Sequence, residues 1–325
     1  MEIYKNIYSY EIVLPKNPLK ILNCYIIVGD NRNLIVDTGF DMPQGEKALM
    51  EAIEELNLDL NKTDLFITHL HADHCGLAGK LKKKGVTLYA SQMDGNLVND
   101  AVEGHGWDYF YEHRGWFDLE REGLVLEEHP GYNFSSKETI EFIPVVEGDS
   151  FKVGDYLFKV VDVPGHTPGH IALYEEKHKI CLCGDHILGK ITPNIAFWGF
   201  EYGDILQIYF DSLKKIYDYD IHTLFPSHRY LIKDHRERID ELLKHHDNRL
   251  NEVLEIVGDK ELTVREIAAE MTWDLKYKNW SEFPNAQKWF ASGEAMAHIH
   301  HLCETNKLSQ REENGILYFK RKQLL

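Results

Sequence analysis

The chain has 325 residues, 43% of them hydrophobic, with 53 Asp and Glu against 36 Lys and Arg and a formal net charge of −17. That length exceeds one typical domain and gives ample material for a core, while the acidic balance repels phosphate backbones and counts against a nucleic-acid partner. Five cysteines without a framework spacing point to a reducing compartment. Met1-Glu2-Ile3-Tyr4-Lys5 lacks the basic start and long apolar stretch of a signal peptide. The early apolar run Tyr25-Ile26-Ile27-Val28 is too short to span a bilayer. The expected setting is the cytoplasm, with no membrane partner.

Residues 1–90 read as strands followed by helices. They include a strand at Asn23-Cys24-Tyr25, a turn at Asp37-Thr38-Gly39, an apolar run over 65–68, a helix over 76–84 and a strand over 86–90. Lys82-Lys83-Lys84 closes that helix and complements its dipole. Between the apolar run and the helix stands His69-Leu70-His71-Ala72-Asp73-His74. Three imidazoles and a carboxylate in six positions are costly to desolvate unless something binds them, and a pair of divalent metals does so. Strand periodicity puts His69 and His71 on one face, and a following loop brings Asp73 and His74 towards a second point.

Three later segments repeat the pattern of an apolar strand ending in a ligand. They are Asp162-Val163-Pro164-Gly165-His166-Thr167-Pro168-Gly169-His170, Ile180-Cys181-Leu182-Cys183-Gly184-Asp185 and Leu224-Phe225-Pro226-Ser227-His228-Arg229. Ligands just past strand ends converge in layered folds. On His-x-His-x-Asp-His, Gly-His-Thr-Pro-Gly-His, Gly-Asp and Pro-Ser-His, residues 1–238 resemble the metallo-β-lactamase-fold hydrolase superfamily. The resemblance implies an α/β fold, a four-layer αββα sandwich. It implies that His69, His71 and His166 hold a first metal, that Asp73, His74 and His228 hold a second, and that Asp185 bridges both. Asp73 is also the catalytic carboxylate in this reading. A bridging hydroxide would attack a carbonyl or phosphoryl centre. The expected cofactors are two divalent metal ions, zinc foremost, with iron or manganese also accepted by such ligands. His170 and His186 are read as structural neighbours, Cys75 as a packing residue, and Cys181 with Cys183 as one face of a strand.

Residues 91–146 break the alternation and are read as a helical cap inserted in the catalytic domain of 1–238. Trp107, Tyr109, Phe110, Tyr111, His113, Arg114, Trp116 and Phe117 crowd into it. The expected substrate contacts are Trp107, Tyr111, His113, Arg114 and Trp116, joined by Trp198 from the stretch 191–198 and by Arg229 beside His228; the alternative is a cap whose aromatics pack inward.

The last 85 or so residues form a second domain, 239–325. A helix is expected over 234–257, where apolar residues recur at helical spacing. Thr263 and Glu266 read as a capping box for a helix over 264–271. A further helix over 294–306 leads to a hairpin of 308–312 and 316–320 around Asn314-Gly315. Helices followed by a hairpin resemble a winged helix. From residue 246 onward, however, 11 Lys and Arg face 13 Asp and Glu, and the helix that would enter a groove carries no arginine. The domain is therefore expected to pack against the sandwich or join a homo-oligomer.

The leading functional expectation is a metal-dependent hydrolase of a small or medium ester, thioester or lactone, with a small-molecule substrate as partner. The alternatives are a nuclease or phosphodiesterase of the same fold and a DNA-binding or scaffolding protein with a vestigial site. A redox di-iron relative is disfavoured: such proteins carry Glu where this chain has His71, together with a flavin domain for which no phosphate-binding loop is visible.

Overall fold

The computed structural model describes residues 1–15 and 17–322. These fall into two compact units. The first comprises Met1–Gly106, Pro130–Pro193 and Ser212–Ile239; the second comprises Trp107–His129, Asn194–Asp211 and Asp240–Leu325. The sequence suggests a single cut near residue 238. By contacts, 107–129 and 194–211 group with the C-terminal residues instead.

The first unit holds two sheets. Strands β1 (Glu2–Tyr4), β2 (Ile7–Val13), β3 (Ile21–Ile27), β4 (Asn33–Val36), β5 (Thr63–Phe66), β6 (Thr87–Ser91) and β7 (Phe142–Val145) lie side by side in chain order. The pairings are antiparallel up to β4 and parallel from β4 to β7. Parallel neighbours need crossovers, and the helices Pro43–Glu55, Ala72–Cys75, Ala78–Lys83 and Gln92–Glu103 lie in those connections. The second sheet consists of β8 (Ser150–Val153), β9 (Tyr156–Asp162), β10 (Ile171–Glu175), β11 (Ile180–Gly184) and β12 (Thr223–Pro226), running in that order from edge to edge. It is antiparallel except for the parallel pair β11 and β12.

The strands β4, β5, β10, β11 and β12 are buried along their whole length, as strands covered on both faces must be. Tyr25, Leu34, Val36 and Phe66 of the first sheet share one core with Phe151, Phe158, Val160, Leu173, Leu182 and Phe225 of the second. A separate core joins Ile26, Ile35, Leu65 and Leu88 to Leu49, Ile53, Cys75 and Leu81 of the helices. This is the α/β sandwich expected from sequence.

Two local details differ. β5 ends at Phe66, so His69 and His71 lie beyond the strand, and their approach owes nothing to strand periodicity. The helix expected over 76–84 is Ala78–Lys83, and a separate helical turn, Ala72–Cys75, precedes it with His71 as its N-cap. Asp73 and His74 therefore sit on a helical turn rather than in a loop.

In the second unit, β13 (Glu261–Thr263), β14 (Leu308–Glu313) and β15 (Ile316–Arg321) form a three-stranded antiparallel sheet in the order β13-β15-β14. Asn314 and Gly315 take φ of 53° and 77°, the left-handed pair that a two-residue hairpin turn requires. Thr263 and Glu266 form the expected reciprocal capping box at helix Val264–Glu270. Helix Asn285–Glu304 starts nine residues before the expected 294. Phe110 packs on Trp289 at 4.5 Å between ring centroids, and His113 lies 5.2 Å from both Phe117 and Phe197. Among the described residues, no helix is long and apolar enough to cross a membrane.

Candidate metal centre

The site grows from strand ends in register. Val36 of β4 stands opposite Phe66 of β5, and Gly184 of β11 opposite Pro226 of β12. Each chain then leaves its strand on the same side of the pair. Asp37, Thr68–His74, Asp185 and Ser227-His228 are thus released at common levels, and His166 joins them from the turn between β9 and β10. Ligand sites in open α/β sheets form at such carboxyl ends.

Three overlapping groups of ligand atoms result, with the atoms of each lying within 4.8 Å of one another: His69, His71 and His166; His69, His74 and Asp185; Asp73, His74 and His228. Asp185 Oδ2 lies 3.8 Å from His166 Nε2, 3.6 Å from His74 Nε2 and 3.5 Å from His228 Nε2. Asp73 Oδ2 lies 3.3 Å from His228 Nε2. Of the seven, only His71 is not classed as buried.

Hydrogen bonds on the far side of two rings fix which nitrogen faces the cluster. His74 Nδ1 donates to Asp37 Oδ2 at 2.7 Å, and His228 Nδ1 donates to the Ile21 carbonyl at 2.7 Å. Each ring then presents Nε2 inward, the arrangement that outer partners impose on metal-ligating histidines. Among the described residues, His74 Nε2, His228 Nε2 and Asp185 Oδ1 are buried without a hydrogen-bond partner. Buried polar atoms left so are costly, and a coordinated cation would satisfy all three.

The electrostatics agree with that fit. Burial, reinforced by neighbouring imidazoles, drives His69 well below its usual range, and burial takes His71 down to about 3. These rings are neutral, with lone pairs available. Burial also opposes charge on His74 and His228, but Asp185 and Asp73 outweigh it at both, with Asp37 adding to them at His74. They raise His74 well above its ordinary value and His228 to about 10. Burial alone would raise Asp73, yet His74 and His228 bring it to about 2. Asp73 and Asp185 therefore draw positive charge into the cluster, a role that divalent cations fill among neutral imidazoles.

Sequence reasoning passes over the residues that hold this shell. Asp37 stands out only as part of a turn. Its carboxylate accepts from the Thr68 amide at 2.9 Å, the Thr68 hydroxyl at 2.8 Å and the Ser227 hydroxyl at 3.2 Å, besides His74. Asp94 does not stand out at all. It accepts from the Leu70 amide at 2.9 Å, the Thr167 hydroxyl at 2.6 Å and the Gly169 amide at 2.7 Å, and burial pushes it up to about 6. No local pattern announces either residue, because their partners lie 24 to 190 positions away.

Among the neighbours, His170 Nε2 accepts from the Asp185 amide at 3.2 Å, and its ring stacks on His69. Cys75 donates to the Leu70 carbonyl, and Cys181 and Cys183 are buried. Arg229 is turned to the Leu19 and Pro18 carbonyls, both at 3.3 Å. The other expected substrate contacts, Trp107, Tyr111, His113, Arg114, Trp116 and Trp198, belong to the second unit. There, Trp107 and His113 are buried in the aromatic cluster, Arg114 donates to the Leu124 carbonyl, and Tyr111 is half exposed.

The family model of the metallo-beta-lactamase superfamily matches residues 19–228, which spans every residue of the cluster. The chain belongs to the metallo-beta-lactamase superfamily. A second model, for the C-terminal domain of metallo-beta-lactamase-like proteins, matches residues 280–322. The chain is 31% identical over 165 residues to hydroxyacylglutathione hydrolase GloC of Haemophilus influenzae, covering 50% of this chain and 65% of that protein. It is 24% identical over 245 residues to the atrochrysone carboxyl ACP thioesterase AacuM of Aspergillus aculeatus, covering 75% of this chain and 62% of that protein. The chain thus spans less than two thirds of either relative's length. A metallo-beta-lactamase family protein of Thermus thermophilus shares the fold, with a TM-score of 0.83 and 23% identity over 99% of this chain and 100% of that one. This member of the superfamily is a hydrolase, and the fold with its His and Asp clusters implies divalent metal ions.

Proposed function

We propose that this hydrolase is dinuclear and opens a thioester, ester or lactone of a small or medium acyl group, with zinc as the metal. The observation that carries the reading is the place of Asp185. One carboxylate oxygen lies within 3.8 Å of a nitrogen from the His69, His71 and His166 group and within 3.6 Å of nitrogens from the Asp73, His74 and His228 group. A carboxylate so placed serves two ions, whereas a single ion needs only three or four ligands. The histidine-rich set suits zinc, although nitrogen and carboxylate donors also accept iron or manganese.

Two bound ions would supply a nucleophile at neutral pH and polarise the scissile carbonyl. The chain's own part is to hold them and to orient what attacks. His69, His71 and His166 would hold the first ion, Asp73, His74 and His228 the second, and Asp185 both. Asp73 would also be the carboxylate that orients the attacking water. The thioester comes first because of the two relatives: one is a hydroxyacylglutathione hydrolase and the other an ACP thioesterase.

Elemental analysis of protein purified without chelator, paired with Asp185→Ala, tests this reading. The parent is expected to carry about two ions per chain and to turn over a generic thioester. The variant is expected to keep its circular dichroism and lose turnover. A parent without metal that zinc, iron or manganese does not restore overturns the proposal, as does a variant with near-parental activity.

A further inference from the structure

The loops carrying His69, His71 and His166 come from different parts of the fold, and one buried side chain ties them together. Asp94 lies on the first turn of helix Gln92–Glu103, where Ser91 caps its backbone amide. Its side chain is 1% exposed and reaches two loops at once. Oδ2 accepts the amide of Leu70, the residue between His69 and His71, at 2.9 Å, together with the Thr167 hydroxyl at 2.6 Å. Oδ1 accepts the Gly169 amide at 2.7 Å. Thr167 directly follows His166, so the carboxylate holds both ligand loops from behind. The approach is close enough that a Cβ on Gly169 would stand 2.5 Å from Asp94 Oδ1 and 2.5 Å from Ser91 Oγ. Across this tether the His166 ring lies 4.9 Å from that of His69 and 4.6 Å from that of His71, centroid to centroid.

We propose that Asp94 is a positioning residue that sets the spacing of His69 and His71 against His166, and so selectively sets affinity for the first of the two metal ions. The proposal rests on the dinuclear reading above. Its selectivity follows from what Asp94 touches. Its three hydrogen-bond donors lie in the two loops of the first group, whereas His74 and His228 of the second are oriented by Asp37 and the Ile21 carbonyl. The chemistry also requires a carboxylate. All three partners are donors, so both oxygens must accept; an amide of the same shape has one acceptor and would set its NH2 against a donor. Asp94→Asn therefore loses at least one of the two backbone amides, Leu70 or Gly169, while preserving volume.

The test is equilibrium titration of the metal-free full chain with zinc, counting ions bound, and with cobalt, following its ligand-field spectrum. The parent is expected to bind two ions per chain. Asp94→Asn should bind one with parental affinity and the other about 10- to 100-fold more weakly, the usual cost of losing an outer partner of a metal ligand. In the cobalt spectrum only one of the two components should be lost. Thr167→Val removes a single hydroxyl and should weaken the same ion by a smaller factor. Two ions of parental affinity in Asp94→Asn, or equal weakening of both, overturns the proposal while leaving the dinuclear reading standing. A parent that holds fewer than two ions overturns both. If Asp94→Asn loses its circular dichroism, Thr167→Val decides the matter, and parental binding of both ions in that variant overturns the proposal.

Discussion

Asp37 shows how much one residue can organise. It holds a left-handed backbone with φ of 61° at the end of β4. From there its carboxylate meets His74, Thr68 and Ser227, three donors from two other strand ends. Aspartate and asparagine tolerate that backbone better than most residues, so Asp37→Asn is the informative change. It keeps the conformation but offers an NH2 where His74 Nδ1 needs an acceptor. We expect the fold to persist and zinc affinity to fall by about 10- to 100-fold, measured by competition with a chromophoric chelator; parental affinity would show that Asp37 does not orient His74. The seven residues of the cluster are expected from sequence because the motifs His-x-His-x-Asp-His, Gly-His-Thr-Pro-Gly-His, Gly-Asp and Pro-Ser-His carry the family resemblance that implies them. Asp37 and Asp94 are not, because an accepting carboxylate is defined by donors that only the folded chain brings to it.

At the scale of elements, legibility follows periodicity. The start of helix Val264–Glu270 can be placed from Thr263 and Glu266 alone, since a capping box is a contact between residues three apart. Thr263→Ala should accordingly cost about 1 kcal/mol of stability, read from urea unfolding; a loss of a few tenths would mean that packing, not the cap, sets that boundary. Helix Asn285–Glu304 is visible in sequence, but its start is not. From Trp289 to Leu302 it is buried on nearly every side, including Ser292, Glu294, His298 and His301. A helix without a solvent face has no apolar stripe to read. The helix Ala78–Lys83 is legible, but the separate turn Ala72–Cys75 before it is not. The Thr38 and Gly39 amides bind the His74 and Asp73 carbonyls at 2.9 and 2.8 Å, taking the acceptors that would continue that turn into the next helix, and these contacts span more than thirty residues.

At the scale of the whole molecule, buried imidazoles outside the metal cluster couple stability to pH. In the second unit, burial alone takes His113 and His129 down to about 4. Their folded-state values lie below the unfolded one near 6.5, so the unfolded chain binds more protons between those limits. Stability is then complete above pH 6.5 and is lost as pH falls towards about 4, at ~3 kcal/mol for each ring over the whole interval. His113→Phe, among aromatic neighbours, should lose about 2–3 kcal/mol less than the parent between pH 7 and 4.5, measured by denaturant unfolding followed by circular dichroism; equal losses would remove His113 from the account. The division into units has one more consequence, for spectroscopy. All six tryptophans, Trp107, Trp116, Trp198, Trp273, Trp280 and Trp289, belong to the second unit. Intrinsic fluorescence excited at the red edge is therefore a reporter of that unit, while the twelve strands of the sandwich dominate the β-sheet dichroism. Comparing the two signals through one unfolding titration asks directly whether this chain melts as a single cooperative body or in two steps.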